Sequence, residues 1–139
     1  MMKVFLDTNV LIDYVENRDS RNFCRFIIEL GNKGEVELCA TYLTYANMAY
    51  ILRHNANKYS LLRQARQNIT VLLPTINQLD YALNNVVKDF EDLLQYRSAV
   101  EGGCDVVVSN NTDDFKEFCT LPLFTSEEFV INYLLSEKR

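Results

Sequence analysis

Residues 105–109 read "DVVVS", with three β-branched valines in a row. A strand with one buried face alternates apolar and polar side chains. A short β-branched run without that alternation is a strand covered on both faces. Covering both faces takes a layer of helices on each side, so this segment alone narrows the chain to a layered α/β arrangement.

The remaining segments agree with that reading. Residues 3–7 ("KVFLD"), 36–40 ("VELCA") and 69–74 ("ITVLLP") also read as strands, and "LFT" at 123–125 as a short fifth. Helical patterns stand between them. One begins near Val10, and one runs over 19–31 and stops at "GNKG". Another is "TYLTYANMAYILRH" (41–54), where Leu43, Asn47, Tyr50, Ile51 and His54 share one stripe expected to face inward. Further helices are expected over 59–67, over 76–87 with Leu79, Leu83, Val86 and Val87 as the apolar face, from near Glu91 to Gly102-Gly103, and over 126–137. The last opens on Ser126 with Glu127 and Glu128 in its first turn, which suits the helix dipole. This alternation predicts a three-layer α/β/α sandwich around a mostly parallel sheet of four to five strands.

With 139 residues, the chain is most simply a single domain spanning 1–139. No apolar run reaches the length of a membrane span, so no membrane contact is expected. The N-terminus carries only Lys3 and a three-residue apolar run, unlike a signal peptide, which points to the cytoplasm. Cys24, Cys39, Cys104 and Cys119 form no CxxC pair, and His54 is the only histidine. They read as small buried hydrophobes rather than a zinc site.

In a parallel sheet of this kind the site lies beyond the carboxyl ends of the strands, where the strand order reverses. Polar residues gather at those ends. Asp7, Thr8 and Asn9 follow the first strand, and Asn110, Asn111, Thr112, Asp113 and Asp114 follow the fourth. The helix near residue 91 opens with "DFED" (89–92), and Asn47 lies on the stripe of the helix after strand two. Each has a plainer reading. Asp7 can cap the next helix, Asp89 and Asp92 resemble a capping box, and 110–114 can be a polar turn. Asn47 needs a polar partner if it is inward, because an unpaired buried amide is costly. Together these stretches supply hard oxygen ligands without thiols or a second imidazole, which suits Mg²⁺ or Mn²⁺.

The net charge of −5 argues against a general nucleic-acid binder. The charge is uneven, however. No acidic residue occurs between Glu37 and Asp80, where Arg53, His54, Lys58, Arg63 and Arg66 stand. That island is either a solvated helix face or a flank for a polyanion.

Four stretches in order resemble the PIN domain, the nuclease fold of VapC-type toxins: "KVFLDTNVLIDY" (3–14), "ANMAYILR" (46–53), "FEDLLQY" (90–96) and "GCDVVVSNNTDDF" (103–115). The closing "LPLFTSEEF" (121–129) also matches. The resemblance implies an α/β/α sandwich that cuts RNA with a cluster of acidic residues around Mg²⁺ or Mn²⁺. It places Asp7, Asn47, Asp92, Asn111 and Asp114 in the catalytic set, and Asp7, Asp92, Asp114 and Glu91 as the metal's carboxylates. Thr8 and Asn9 would support the first acid. It also implies a small antitoxin partner and a homodimer.

The chain departs from the pattern in two ways. Asn47 and Asn111 stand where many members have carboxylates, and fewer anionic ligands weaken cation binding. Asn110, Thr112 and Asp113 stand where the similar branch has an arginine and two lysines, which removes positive charge for a phosphate. These departures keep open a PIN-like module that binds RNA or protein without cutting. The region 19–31 and 42–67, with Phe23, Phe26 and Ile27, is either core packing or a partner surface.

Overall fold

The computed structural model describes residues 1–137. Five strands form one sheet: β1 (Lys3–Leu6), β2 (Glu37–Thr41), β3 (Ile69–Leu72), β4 (Val106–Val108) and β5 (Leu123–Phe124). Their order is β3-β2-β1-β4-β5, and every neighbouring pair is parallel. Seven α-helices connect them among the described residues: α1 (Thr8–Val15), α2 (Arg21–Asn32), α3 (Tyr42–Ile51), α4 (Lys58–Arg66), α5 (Ile76–Leu83), α6 (Phe90–Glu101) and α7 (Ser126–Glu137). The expected α/β/α sandwich is therefore present, with five strands rather than four.

The period-two alternation of β1 divides the core. Val4 and Leu6 join Leu38, Ala40, Val106 and Val108 on one face, against α1, α2, α3, α4 and α7. Phe5, Cys39 and Val107 point to the other face, against Tyr96 and Ala99 of α6 and against Phe115. Each of the three valines of β4 is buried, as a strand covered on both faces requires. Cys24, Cys39 and Cys104 are buried and Cys119 is half-buried, all as free thiols.

Glycine matters at the end of α2. Gly34 has φ +72° and takes the left-handed position past the helix, with Glu35 N–H donating to Leu30 C=O at 3.0 Å and Gly34 N–H to Gly31 C=O at 3.0 Å. This is the double-bonded glycine stop expected of "GNKG". Gly31 has a different role. A Cβ there would collide with the buried side chain of Leu38, so the missing side chain lets α2 lie close on β2.

Two helical readings need correction. The segment 76–87 is helical only to Leu83, with Asn84 as its C-cap. Its apolar face is not buried either: Ile76, Leu79, Leu83 and Val86 are exposed, while Gln78 and Ala82 pack inward. Gln78 can do so because Ser98 Oγ donates to its Oε1 at 2.9 Å and Thr75 completes a capping box with it. In α3 the buried stripe is Thr44 and Met48, with Leu52 beyond the helix, rather than the stripe through Leu43, Asn47, Tyr50, Ile51 and His54. Thr44 is buried without cost because its hydroxyl is shared with Thr8, Thr41 and Gln95. The apolar side chains of α2, by contrast, are committed to the core: Ile27 is fully buried, and Phe23 and Phe26 pack against it.

Candidate active site

The chain runs from β1 to β2 to β3 in one direction and returns to β4 on the other side of β1. The order therefore reverses between β1 and β4, and their carboxyl ends open a crevice. Asp7 lies at this point. Its backbone N–H bonds Val108 C=O across the junction at 2.9 Å.

Asp7 is only 7% exposed. Its Oδ1 accepts the Thr8 N–H at 2.8 Å, so it does cap α1. Its Oδ2 accepts the Ser109 hydroxyl at 2.9 Å, so it is also held by β4. Burial pushes its pKa up to about 6 against those two hydrogen bonds, and the charges of Asp114 and Glu91 add to the rise.

A cleft of about 400 Å³ opens beside Asp7, lined by Thr8, Asn9, Ile12, Arg18, Asn47, Tyr50, Ile51, Glu91 and Asp92. Asp92 enters it from the first turn of α6. Asp89 caps that helix by accepting the Asp92 N–H at 3.1 Å, which is half of the capping box expected there. Burial first, and then the charges of Asp7, Asp89 and Asp114, push the Asp92 carboxyl up to about 8. Asn47 meets the polar partner that its position demanded, its amide donating to the Glu91 carboxylate. That bond joins α3 to α6 across the cleft.

The other two candidates stand apart. Asn111 and Asp114 are exposed on a short 3-10 turn, Thr112–Asp114, outside the cleft lining. They pair with each other, Asn111 Nδ2 donating to Asp114 Oδ2 at 2.7 Å. Asp114 reaches the site through its charge, which raises both Asp7 and Asp92. Among the described residues, no three acidic, histidine or cysteine side chains are already gathered as a preformed metal centre.

Two residues that hold the site, Ser109 and Gln95, are not marked by the sequence, while Asn110 and Asn9 are among the polar residues it places at the strand ends. Ser109 ends β4 and bonds Asp7, the Asn111 N–H at 3.1 Å and the Asn9 amide at 3.3 Å. Gln95, one turn beyond Asp92, is buried and accepts the Thr41 hydroxyl at 2.5 Å, fixing α6 to the start of α3. The only signal for Gln95 was a polar residue on the helix's buried side, legible once that side is known. Asn110 tethers the loop. Its amide donates to Asp13 at 2.7 Å and Ser20 at 2.9 Å, and its carbonyl oxygen accepts from Ser126. Asn9 accepts the Asn110 N–H at 3.0 Å, so it supports the first acid from the loop side.

The basic island divides. Arg53 lies over the Tyr50 ring, with its guanidinium carbon 4.1 Å from the centroid, at the cleft wall. Arg66 instead donates to Ile69 C=O at 2.9 Å, and Lys58 lies over Tyr59.

A five-stranded parallel sheet whose order reverses at a buried aspartate, with further carboxylates facing it across a cleft, is the arrangement of an acidic-site α/β protein. The family is shown by sequence: a model of the PIN domain matches residues 3–113, so the chain belongs to the PIN domain family. Solved structures agree on the fold. A chain of VapBC2 from Rickettsia felis, in a complex with a promoter DNA fragment, is 17% identical with a TM-score of 0.66, covering 88% of this chain and 97% of that one. A toxin-antitoxin complex from Klebsiella pneumoniae gives 14% and 0.65, with coverage of 88% and 97%. FitAB bound to a DNA fragment gives 16% and 0.59, with coverage of 88% and 94%. A search of curated proteins gives no match. Among the described residues, no helix is long and apolar enough to cross a membrane.

Proposed function

We propose that this chain is a metal-dependent endoribonuclease, the toxin of a toxin-antitoxin pair, acting in the cytoplasm. The observation that carries the reading is the facing of Asp7 and Asp92 across one cleft, with Glu91 beside them and both aspartates raised, first by burial and then by neighbouring carboxylates: Asp114 and Glu91 for Asp7, and Asp7, Asp89 and Asp114 for Asp92. Carboxylates held this way lack a compensating cation. A hard divalent ion fits them, because all the donors are oxygens. Asp7, Asp92 and Glu91, which line the cleft, would hold Mg²⁺ or Mn²⁺, and Asp114 would add its charge from the 3-10 turn outside that lining. When bound, such an ion supplies positive charge to the scissile phosphate and acidity to a water.

The chain's own residues do the rest. Ser109 and the Thr8 N–H fix the Asp7 carboxylate in one orientation. Asn47 steers Glu91 into the cleft, and Asn111 orients Asp114. Arg18, on the cleft lining, attracts the RNA backbone. The solved structures of similar fold include toxin-antitoxin complexes, which supports a small antitoxin as partner. The exposed face of α5 supports a homodimer. Leu73 is 76%, Ile76 71% and Leu83 63% exposed, an apolar surface broken within α5 only by the charge of Asp80.

The test is incubation of the protein with single-stranded and structured RNAs in Mg²⁺ or Mn²⁺, beside Asp7→Asn. Cleavage by the parent and none by the variant is expected. Equal cleavage by both, or none with any metal, would refute the reading. The amides at 47 and 111 favour a second reading, a module that binds without cutting. Absence of Mn²⁺ binding at millimolar concentration in calorimetry would select it.

A further inference from the structure

The wall of the acidic cleft away from the 3-10 turn carries an unexplained feature. Tyr50 is 67% exposed, yet it lines the same cleft as Asp7 and Asp92, and Ile51 beside it is also exposed. Tyr50 and Ile51 together put an exposed apolar patch on the wall of a cleft, which is where such a patch meets a ligand. Arg53 lies over its ring at 4.1 Å and is further fixed by donating to the Tyr50 C=O at 2.8 Å. The pair forms a layer of two flat groups, a phenol and a guanidinium, each of which stacks on aromatic faces.

The charge distribution gives this wall a polarity. The turn over 110–114 carries Asp113 and Asp114, of which Asp113 is paired with Lys116 at 2.8 Å. Tyr50 belongs to the segment without acids between Glu37 and Asp80, and Arg18, whose Nη2 pairs with Glu16 at 2.7 Å while half of its side chain stays exposed, is the one cation on the lining itself. A polyanion entering the cleft therefore meets positive charge at Arg18 and, beside Tyr50, at Arg53, and negative charge at the turn that carries Asp114.

Resting on the nuclease reading above, we infer that Tyr50 and Arg53 form a stacking platform for an unpaired RNA base next to the cleft carboxylates, with Arg18 holding a neighbouring phosphate. The platform selects single-stranded segments and loops. In a duplex the base faces are buried in their own stack, and side chains reach only edges and backbone. Stacking on a tyrosine is sequence-tolerant, because every base has a π-face. Specificity at this position is thus for strandedness rather than base identity.

The test separates this inference from its parent reading. Cleavage by the unaltered protein, and its loss in Asp7→Asn, is scored first. Binding is then measured by fluorescence anisotropy in the Asp7→Asn background, where one cleft charge is gone and RNA stays intact. The probes are a short labelled single-stranded RNA, its duplex, and the same strand with abasic substitutions placed in turn. Tyr50→Ala is expected to weaken single-strand binding about 5- to 100-fold, Tyr50→Phe to restore it to within about 2-fold because the ring is what stacks, and duplex binding to stay unchanged. At one abasic position the Tyr50→Ala effect disappears. Tm stays constant, because the ring is exposed. Unchanged single-strand binding by Tyr50→Ala overturns the inference, as does equal weakening for strand and duplex. Loss of binding to a co-expressed antitoxin with RNA binding intact also overturns it and makes the wall a protein-docking surface. Cleavage that persists alongside any of these leaves the nuclease reading standing.

Discussion

Replacing Asp7 by Asn removes a charge that the fold holds at a cost. Asp7 titrates at about 6 in the folded protein, against about 3.9 for a free aspartate. Because the folded value is raised, the ionised carboxylate destabilises the metal-free protein above pH 6. The penalty shrinks as pH falls from about 6 to about 4, and is gone below that. The separation corresponds to about 3 kcal/mol. Asn keeps the carbonyl oxygen for the Thr8 N–H and can donate to Ser109, which now donates to Asp7. The charge-assisted part of those bonds is already contained in the Asp7 value, which they lower, and reversing the Ser109 hydrogen bond costs about 1 kcal/mol. The variant's net gain at pH 8 is about 1 to 2 kcal/mol, or a Tm rise of roughly 4 to 8 °C for a chain of this size. Removing the Asp7 charge also lets Asp92 ionise more easily, since Asp7 is its second-largest cause of shift. The assay is thermal unfolding at pH 8 and pH 4, with chelator and with Mn²⁺. The parent is expected to gain Tm with Mn²⁺, and the variant to gain none. A variant less stable than the parent at pH 8, or an equal gain at both pH values, would refute the argument that burial and repulsion strain this site.

Three further outcomes follow from the packing and hydrogen bonds. Ser109→Ala removes a bond that lowers Asp7, so the Asp7 carboxyl should titrate higher and Mn²⁺ affinity should fall about tenfold by calorimetry. Gly31→Ala would stabilise an ordinary helix interior, but here the new methyl meets Leu38, so chemical denaturation should show a loss of about 1 to 3 kcal/mol. Leu83→Lys, at an exposed position of α5, should leave Tm of the monomer unchanged while shifting sedimentation from dimer to monomer.

Comparison of particular elements shows why some features were legible in advance and others were not. The valine run of β4 and the alternation of β1 state their environment directly, because a strand's burial is written in its side-chain period. Helix faces are less explicit. In 76–87 the leucines marked an apolar stripe correctly, but which side faces the sheet depends on the neighbour. Here α6 offers Ser98 and Glu101, and these take Gln78 inward and leave the leucines outside. The stripe of α3 was misassigned for the same reason. Three threonines and Gln95 satisfy one another in the interior, so hydrophobicity alone pointed to the wrong face.

The sequence by itself determined the layered parallel fold and the family, and it pointed to Asp7 as the carboxylate that follows the first strand. These depend on local period and on motifs whose residues are close together in the chain. Tertiary structure alone decided what Asp7 faces. Its hydroxyl partner is 102 residues away at Ser109, Asn47 finds Glu91 across 44 residues, and the exposed Tyr50 meets the same cleft from a third direction. Charge and burial at this site arise between elements that meet only where the strand order reverses, and that meeting is a property of the assembled sheet rather than of any segment.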